Sequence, residues 1–264
     1  MLTVAKNQIK VMLLSVKYNI MREMTNRVTF LTNVCFMILN NACFIIQWIL
    51  LFHLRTDIGG FSLNDVMVLW GFAASTYGLS HIFFQRAFEL PGLIMNGKLD
   101  SFLVQPKSVL LSVISSGTNP SAIGDFLYGY LVIIFFKFSI INLLLFTILS
   151  ILGAFIFTGF SVIIGSISFW IIRGDLLSEN ITHITILFST YPDTIFKGLV
   201  RLLFYSILPV GFYIYMPMKI LLHFNIYYFL CVVGVCILII LLAFFIFYRG
   251  LKRYTSSSLM SARI

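Results

Sequence analysis

The chain has 264 residues, 60% of them apolar and 10% charged, whereas soluble domains carry roughly 25% charged residues, so a water-soluble globule is excluded. Eighteen Lys and Arg against nine Asp and Glu give a net charge of +9. Because the apolar stretches are long enough to cross a bilayer, the basic residues are left the ends and loops, and the positive balance reads as membrane topology and not as nucleic-acid binding.

Residues 1–27 carry Ile9, Met12, Leu13, Val16, Ile20 and Met24 at helical spacing, with Lys6, Lys10 and Lys17 along one edge. The pattern predicts a cytoplasmic amphipathic helix lying in the membrane interface. No cleavable leader is expected, since basic residues precede the first strongly apolar run and that run is too long for a signal-peptide core. Span one is predicted over residues 28–53, and a turn rich in Gly and Asp, 55–65, returns the chain into span two, 66–84, as an antiparallel hairpin. Residues 85–120 hold Arg86, Glu89, Lys98, Asp100 and Lys107, with prolines at 91, 106 and 120, and form the main insertion outside the membrane.

Span three is predicted over residues 121–138 and span four over 141–172, a long run interrupted by Gly153, Gly159 and Gly165 that is expected to tilt, kink or extend beyond the hydrocarbon. Span five covers 176–190. Residues 192–225 come next, and within them 202–216 are apolar but flanked by charge and by Pro209 and Pro217. That stretch is expected as a re-entrant or interfacial hairpin, because Pro and charge make a lipid-facing helix costly. Span six, 227–248, leads into a cytoplasmic tail over 250–264. The expected fold is all-α and integral to the membrane, with a six-span domain over 28–249. Placing both termini inside puts 13 Lys and Arg on the cytoplasmic side and 5 outside, as the positive-inside rule requires.

Few groups carry obvious chemistry. Cys35, Cys43, Cys231 and Cys236 all fall in apolar stretches and are expected to act as small buried hydrophobes. The four histidines are scattered, with no HExxH or paired-carboxylate spacing, which disfavours a metal site or a lipid-modifying enzyme. Gly92 to Leu99 approaches a phosphate-binding loop, but Leu99 stands where a hydroxyl must hold magnesium and no strand precedes it. Any nucleotide that drives this protein must bind another chain. Asn33, Asn40 and Gln47 recur every seven residues in span one with Asn41 beside them, a face that must meet another helix or line a substrate route. Asp125 and Glu179 lie near span entrances, where ionisable groups are internal or paired. A proton- or sodium-coupled multidrug carrier would need a midplane ionisable residue or an inverted repeat, and neither stands out.

The insertion reads Leu93-Ile-Met-Asn-Gly97-Lys98-Leu99-Asp100-Ser-Phe102-Leu103-Val-Gln-Pro106. It resembles the Arg-Gly-Glu-Leu-Asp…Arg-Pro signature of a bacterial ABC-2 permease subfamily that includes suspected drug and viologen exporters. Asn96, Lys98 and Gln105 stand where that signature carries Arg, an acidic residue and Arg. Gly60-Phe-Ser, Phe169-Trp170 and Tyr191-Pro192 are similar in order to the family's other landmarks. The resemblance implies a plasma-membrane half-transporter that pairs with an identical or sister permease and with two soluble ATP-binding subunits. It places ATP and magnesium on those partners and no cofactor on this chain. It also implies that Gly97, Lys98, Leu99, Asp100, Phe102, Leu103 and Pro106 form the element through which the ATPase drives the membrane domain. Leu99, Phe102 and Leu103 are expected to supply its docking surface.

Overall fold

A computed structural model describes residues 2–54 and 57–255. Arg55 and Arg263, which enter the orientation count, Met1 of the leader and residues 256–264 of the tail lie outside the described residues. In chain order the helices are α1 (Leu2–Glu23), α2 (Arg27–Leu54), α3 (Leu63–Phe88), α4 (Leu90–Met95), α5 (Asp100–Leu103), α6 (Val109–Ile114), α7 (Ala122–Lys137), α8 (Ile140–Ser166), α9 (Gly174–Ser189), α10 (Gly198–Phe204), α11 (Met216–Leu222) and α12 (Ile226–Leu251). Their ends follow local chemistry. Ser62 and Asp65 form a reciprocal capping box at the start of α3, and the Asn225 side chain accepts from the Tyr227 and Tyr228 amides at the start of α12.

α3 is the central element. It lies antiparallel to α7 and packs more extensively against it than any other pair of helices does. Small residues permit the approach: a Cβ on Gly129 of α7 would fall 2.0 Å from Ser75 Oγ and 2.2 Å from the Gly71 carbonyl, and one on Gly78 would meet the α7 backbone. Close contact of this kind replaces the hydrophobic drive that is absent between helices in lipid. α8 and α12 run parallel to α3, so the chain has two apolar cores, one at each end. The first joins the N-terminal halves of α3, α8 and α12 to residues 204–221, with Phe72, Phe146, Phe157 and Tyr213 fully buried. The second gathers Phe84 and Ala87 of α3, Val162 of α8, and Ala243 and Phe247 of α12 around α4 and α6.

Among the described residues four helical stretches are long and apolar enough to cross a bilayer: Arg27–Leu54, Leu63–Met95, Ile140–Phe169 and Ile226–Leu251. They correspond to expected spans one, two, four and six. The helices at spans three and five, α7 and α9, have 16 residues each, about 24 Å at about 1.5 Å per residue. Ahead of α7, residues 115–121 run unwound along α3. Thr118 Oγ1 donates to the Ile82 carbonyl at 2.9 Å and the Asn119 amide to that of His81 at 3.1 Å, which keeps this irregular backbone satisfied against protein.

Other expectations are refined in detail. Of the alternatives for span four the kink is absent: α8 is one continuous helix of 27 residues, and its glycines serve packing, Gly153 facing the Tyr213 carbonyl and Gly159 the Ile239 side chain. Of the four cysteines only Cys236 is buried, while Cys35 and Cys43 lie on the exposed face of α2, because α2 touches the rest of the chain along a narrow seam of Val34, Asn41 and Trp48. Residues 198–222 make no continuous helix: α10 ends at Phe204, and a π-helical turn, Gly211–Tyr215, leads into α11. The apolar run Gly211–Leu222 falls short of crossing length.

Candidate functional site

The Gly97–Pro106 segment is built from its backbone outward. Gly97 takes a left-handed φ of 67°, so α4 closes with the Lys98 amide donating to the Leu93 carbonyl (2.9 Å) and the Gly97 amide to that of Ile94 (3.3 Å). This paired C-terminal turn needs a residue free of Cβ strain. It also shows why the near phosphate loop is none: Gly92 lies in a helix and its carbonyl accepts from the Asn96 amide and side chain.

The turn aims Leu99 inward, where it is wholly buried among Leu90, Leu93, Ile94, Leu110 and Phe247. The expectation that Leu99 docks a partner is therefore corrected. An apolar side chain in a polar loop was read as surface, but it is the anchor of the loop, and burying it contributes about 2 kcal/mol. Phe102 is half-buried against the same core, while Leu103 and Val104 are 42% and 84% exposed. Lys98 and Pro106 are exposed. Asp100 is half-buried beside Tyr254; burial, and then this carboxylate, push the Tyr254 phenol up to about 12. α5 borders an open groove of about 530 Å³ lined by Arg86, Lys98, Asp100, Phe102 and Ser116. α1 is attached to the same region, since Ser15 Oγ and Asn19 Nδ2 both donate to the Ser115 carbonyl at 3.0 and 3.1 Å.

The polar face of α2 divides. Asn41 is buried and donates to Asp125 Oδ1 of α7 at 2.6 Å and to the Met37 carbonyl at 3.0 Å. Asn40 borders the same cavity between helices as Asn41, whereas Asn33 lines a separate groove beside α1 and Gln47 lies exposed. Seven-residue spacing put Asn33, Asn40 and Gln47 together, but the seam that meets α7 lies one residue further on. Glu179 is exposed on α9. Sequence reasoning missed a buried ionic cluster opposite the insertion: Asp193, 2% exposed, pairs with Lys219 at 2.5 Å and Arg201 at 3.5 Å and accepts from Tyr205 at 3.3 Å. Thr194 Oγ1 then donates to the Gly59 carbonyl at 2.6 Å, joining this cluster to the turn before α3. The available signal was a lone acid in an apolar region followed by two basic residues.

The model of the ABC-2 family transporter protein matches residues 38–258, a stretch holding α3 to α12 and most of α2. The chain belongs to the ABC-2 transporter family. It is a membrane protein and the membrane component of an ABC transporter, a class that works with an ABC ATP-binding partner. Membership favours a transporter component over the ion-coupled carrier and the lipid-modifying enzyme. No curated protein and no solved structure matches the chain.

Proposed function

We propose that this ABC-2 permease is half of an exporter that carries a hydrophobic or cationic compound, a lipid-like molecule or a peptide outward across a bacterial plasma membrane by ATP-driven alternating access. Two ATP-binding subunits hold ATP and magnesium, and an identical or sister permease completes the conduit. The chain crosses six times with both termini cytoplasmic, α7 and α9 supplying the two shorter spans. Residues 192–225 re-enter from the outer side.

The observation that carries this proposal is the architecture of α5. It presents Leu103 and Val104 outward while Leu99 roots it among the ends of α3, α8 and α12. A partner that presses on the exposed pair acts on three long helices at once. Co-expression with a cognate ATP-binding subunit tests it. The complex is expected to hydrolyse ATP and the isolated permease is not. A Leu103→Glu, Val104→Glu double variant is expected to reach the membrane normally but lose the ATPase on purification. An ATPase retained undiminished by that variant would remove the docking role of α5.

A further inference from the structure

A cavity of about 340 Å³ opens between α2, α3, α7 and α9, within the size range of small-molecule sites. Its apolar wall holds Phe44 and Trp70, with ring centroids 4.4 Å apart at 34°, and Tyr77. Its polar wall holds Asn41 and Asp125. Asp125 Oδ1 accepts from Asn41 Nδ2, and no Lys, Arg or His side chain pairs with the carboxylate among the described residues, whose four ion pairs are all elsewhere.

The depth of this acid matters. Gly78 of α3 abuts Phe126, the residue after Asp125, so the carboxylate lies beside a position six residues before the kink in α3 at Phe84, about 9 Å of helix at about 1.5 Å per residue. Asn41 likewise lies fourteen residues, about 21 Å, from the start of α2. An acid at such depth is expensive unless a partner or a cargo meets it. Asn41 satisfies one oxygen and orients the group without neutralising it. Trp70 and His81 of α3 and Asn119 before α7 line the cavity as well.

The geometry points to this cavity as the binding site for a flat, lipophilic organic cation, whose charge pairs with Asp125 and whose ring system lies against Phe44, Trp70 and Tyr77. Aromatic faces attract a cation most strongly when water is excluded, and a carboxylate held by a neutral amide keeps an oxygen free for a charged donor. A neutral apolar compound gains the rings but leaves the carboxylate unmet, so charge is the discriminating feature. An anion meets the carboxylate unfavourably.

The inference rests on the permease proposal and names a compound class for it. The test uses the full chain in nanodiscs without any ATPase. N-methylacridinium and its neutral parent acridine, at pH 8, share shape and differ in permanent charge, and their binding is read by fluorescence anisotropy. The wild-type chain is expected to bind the cation at least about tenfold more tightly than the neutral compound, the scale of one hydrogen bond to a charged group. Asp125→Asn is expected to abolish that preference while leaving acridine affinity unchanged, which also reports that the variant is folded. Phe44→Ala is expected to weaken both probes. A wild-type chain with no charge preference, or one that binds neither probe, overturns the proposal whether or not the variants fold. A preference that survives Asp125→Asn overturns it as well. Failure here leaves ATP-dependent transport untouched, and loss of ATPase association with cation binding intact counts against the exporter proposal alone.

Discussion

Two Gly→Ala substitutions, one on α7 and one on α12, are expected to move stability in opposite directions. At Gly129 the new Cβ would sit 2.0 Å from Ser75 Oγ and 2.2 Å from the Gly71 carbonyl. Part of this clash is with backbone, so α7 must move off α3. Overpacking of this kind costs about 1–3 kcal/mol. The separation also strains the bond from Ser75 Oγ to the Phe126 carbonyl, now 3.1 Å, worth about 0.6 kcal/mol within a membrane. Against this stands the helix-propensity gain of alanine, about 0.9 kcal/mol. The balance is destabilisation by about 2 kcal/mol, because the Ser75 hydroxyl can turn aside but the Gly71 carbonyl cannot. At Gly234 of α12 no atom lies within 4 Å of the added Cβ, leaving only the favourable propensity term of up to about 0.9 kcal/mol. Unfolding in mixed micelles titrated with SDS, followed by tryptophan fluorescence, reads both. If Gly129→Ala proves as stable as Gly234→Ala, the close approach of α3 and α7 does not hold the bundle together and the argument fails.

Removing the buried acid by Asp193→Ala is expected to destabilise the 193–219 region by on the order of 2 kcal/mol, below the 3–5 kcal/mol of a fully enclosed pair, because the Lys219 side chain keeps 31% of its surface exposed. Faster proteolysis between α10 and α11, with the rest of the chain protected, is the expected readout; unchanged cleavage would mean that the cluster holds nothing. Leu99→Ala is expected to cost about 2–4 kcal/mol as a cavity in the second core, whereas Leu103→Ala changes stability by less than about 0.5 kcal/mol. The same SDS titration separates them, and equal effects would refute the division between anchor and exposed face.

Helix positions were largely legible because they depend on local pattern. The apolar runs that became α2, α8 and α12 announce themselves by composition, and the starts expected at 66 and 227 fall within three residues of Leu63 and Ile226. What escaped was tertiary. The helix expected over 121–138 is found at Ala122–Lys137, but nothing in residues 115–121 says that their backbone will be satisfied by α3. Leu99 looked like a surface contact because its neighbours are polar, yet the left-handed Gly97 turns the chain so that it faces inward. The amide face of α2 was found but offset by one residue, since spacing gives the face and only the position of Asp125, 84 residues away, selects Asn41. Two isolated polar residues in separate apolar helices were the one clue to that pairing. The Asp193 cluster gave even less, because its partners are 8 and 26 residues distant with no period connecting them.

Phe88 and Ile163 pack against both apolar cores, and α3, α8 and α12 each contribute to both. The block that roots α5 resembles a bell-crank, gripped at three helix tips, so that displacing it displaces three rods at once.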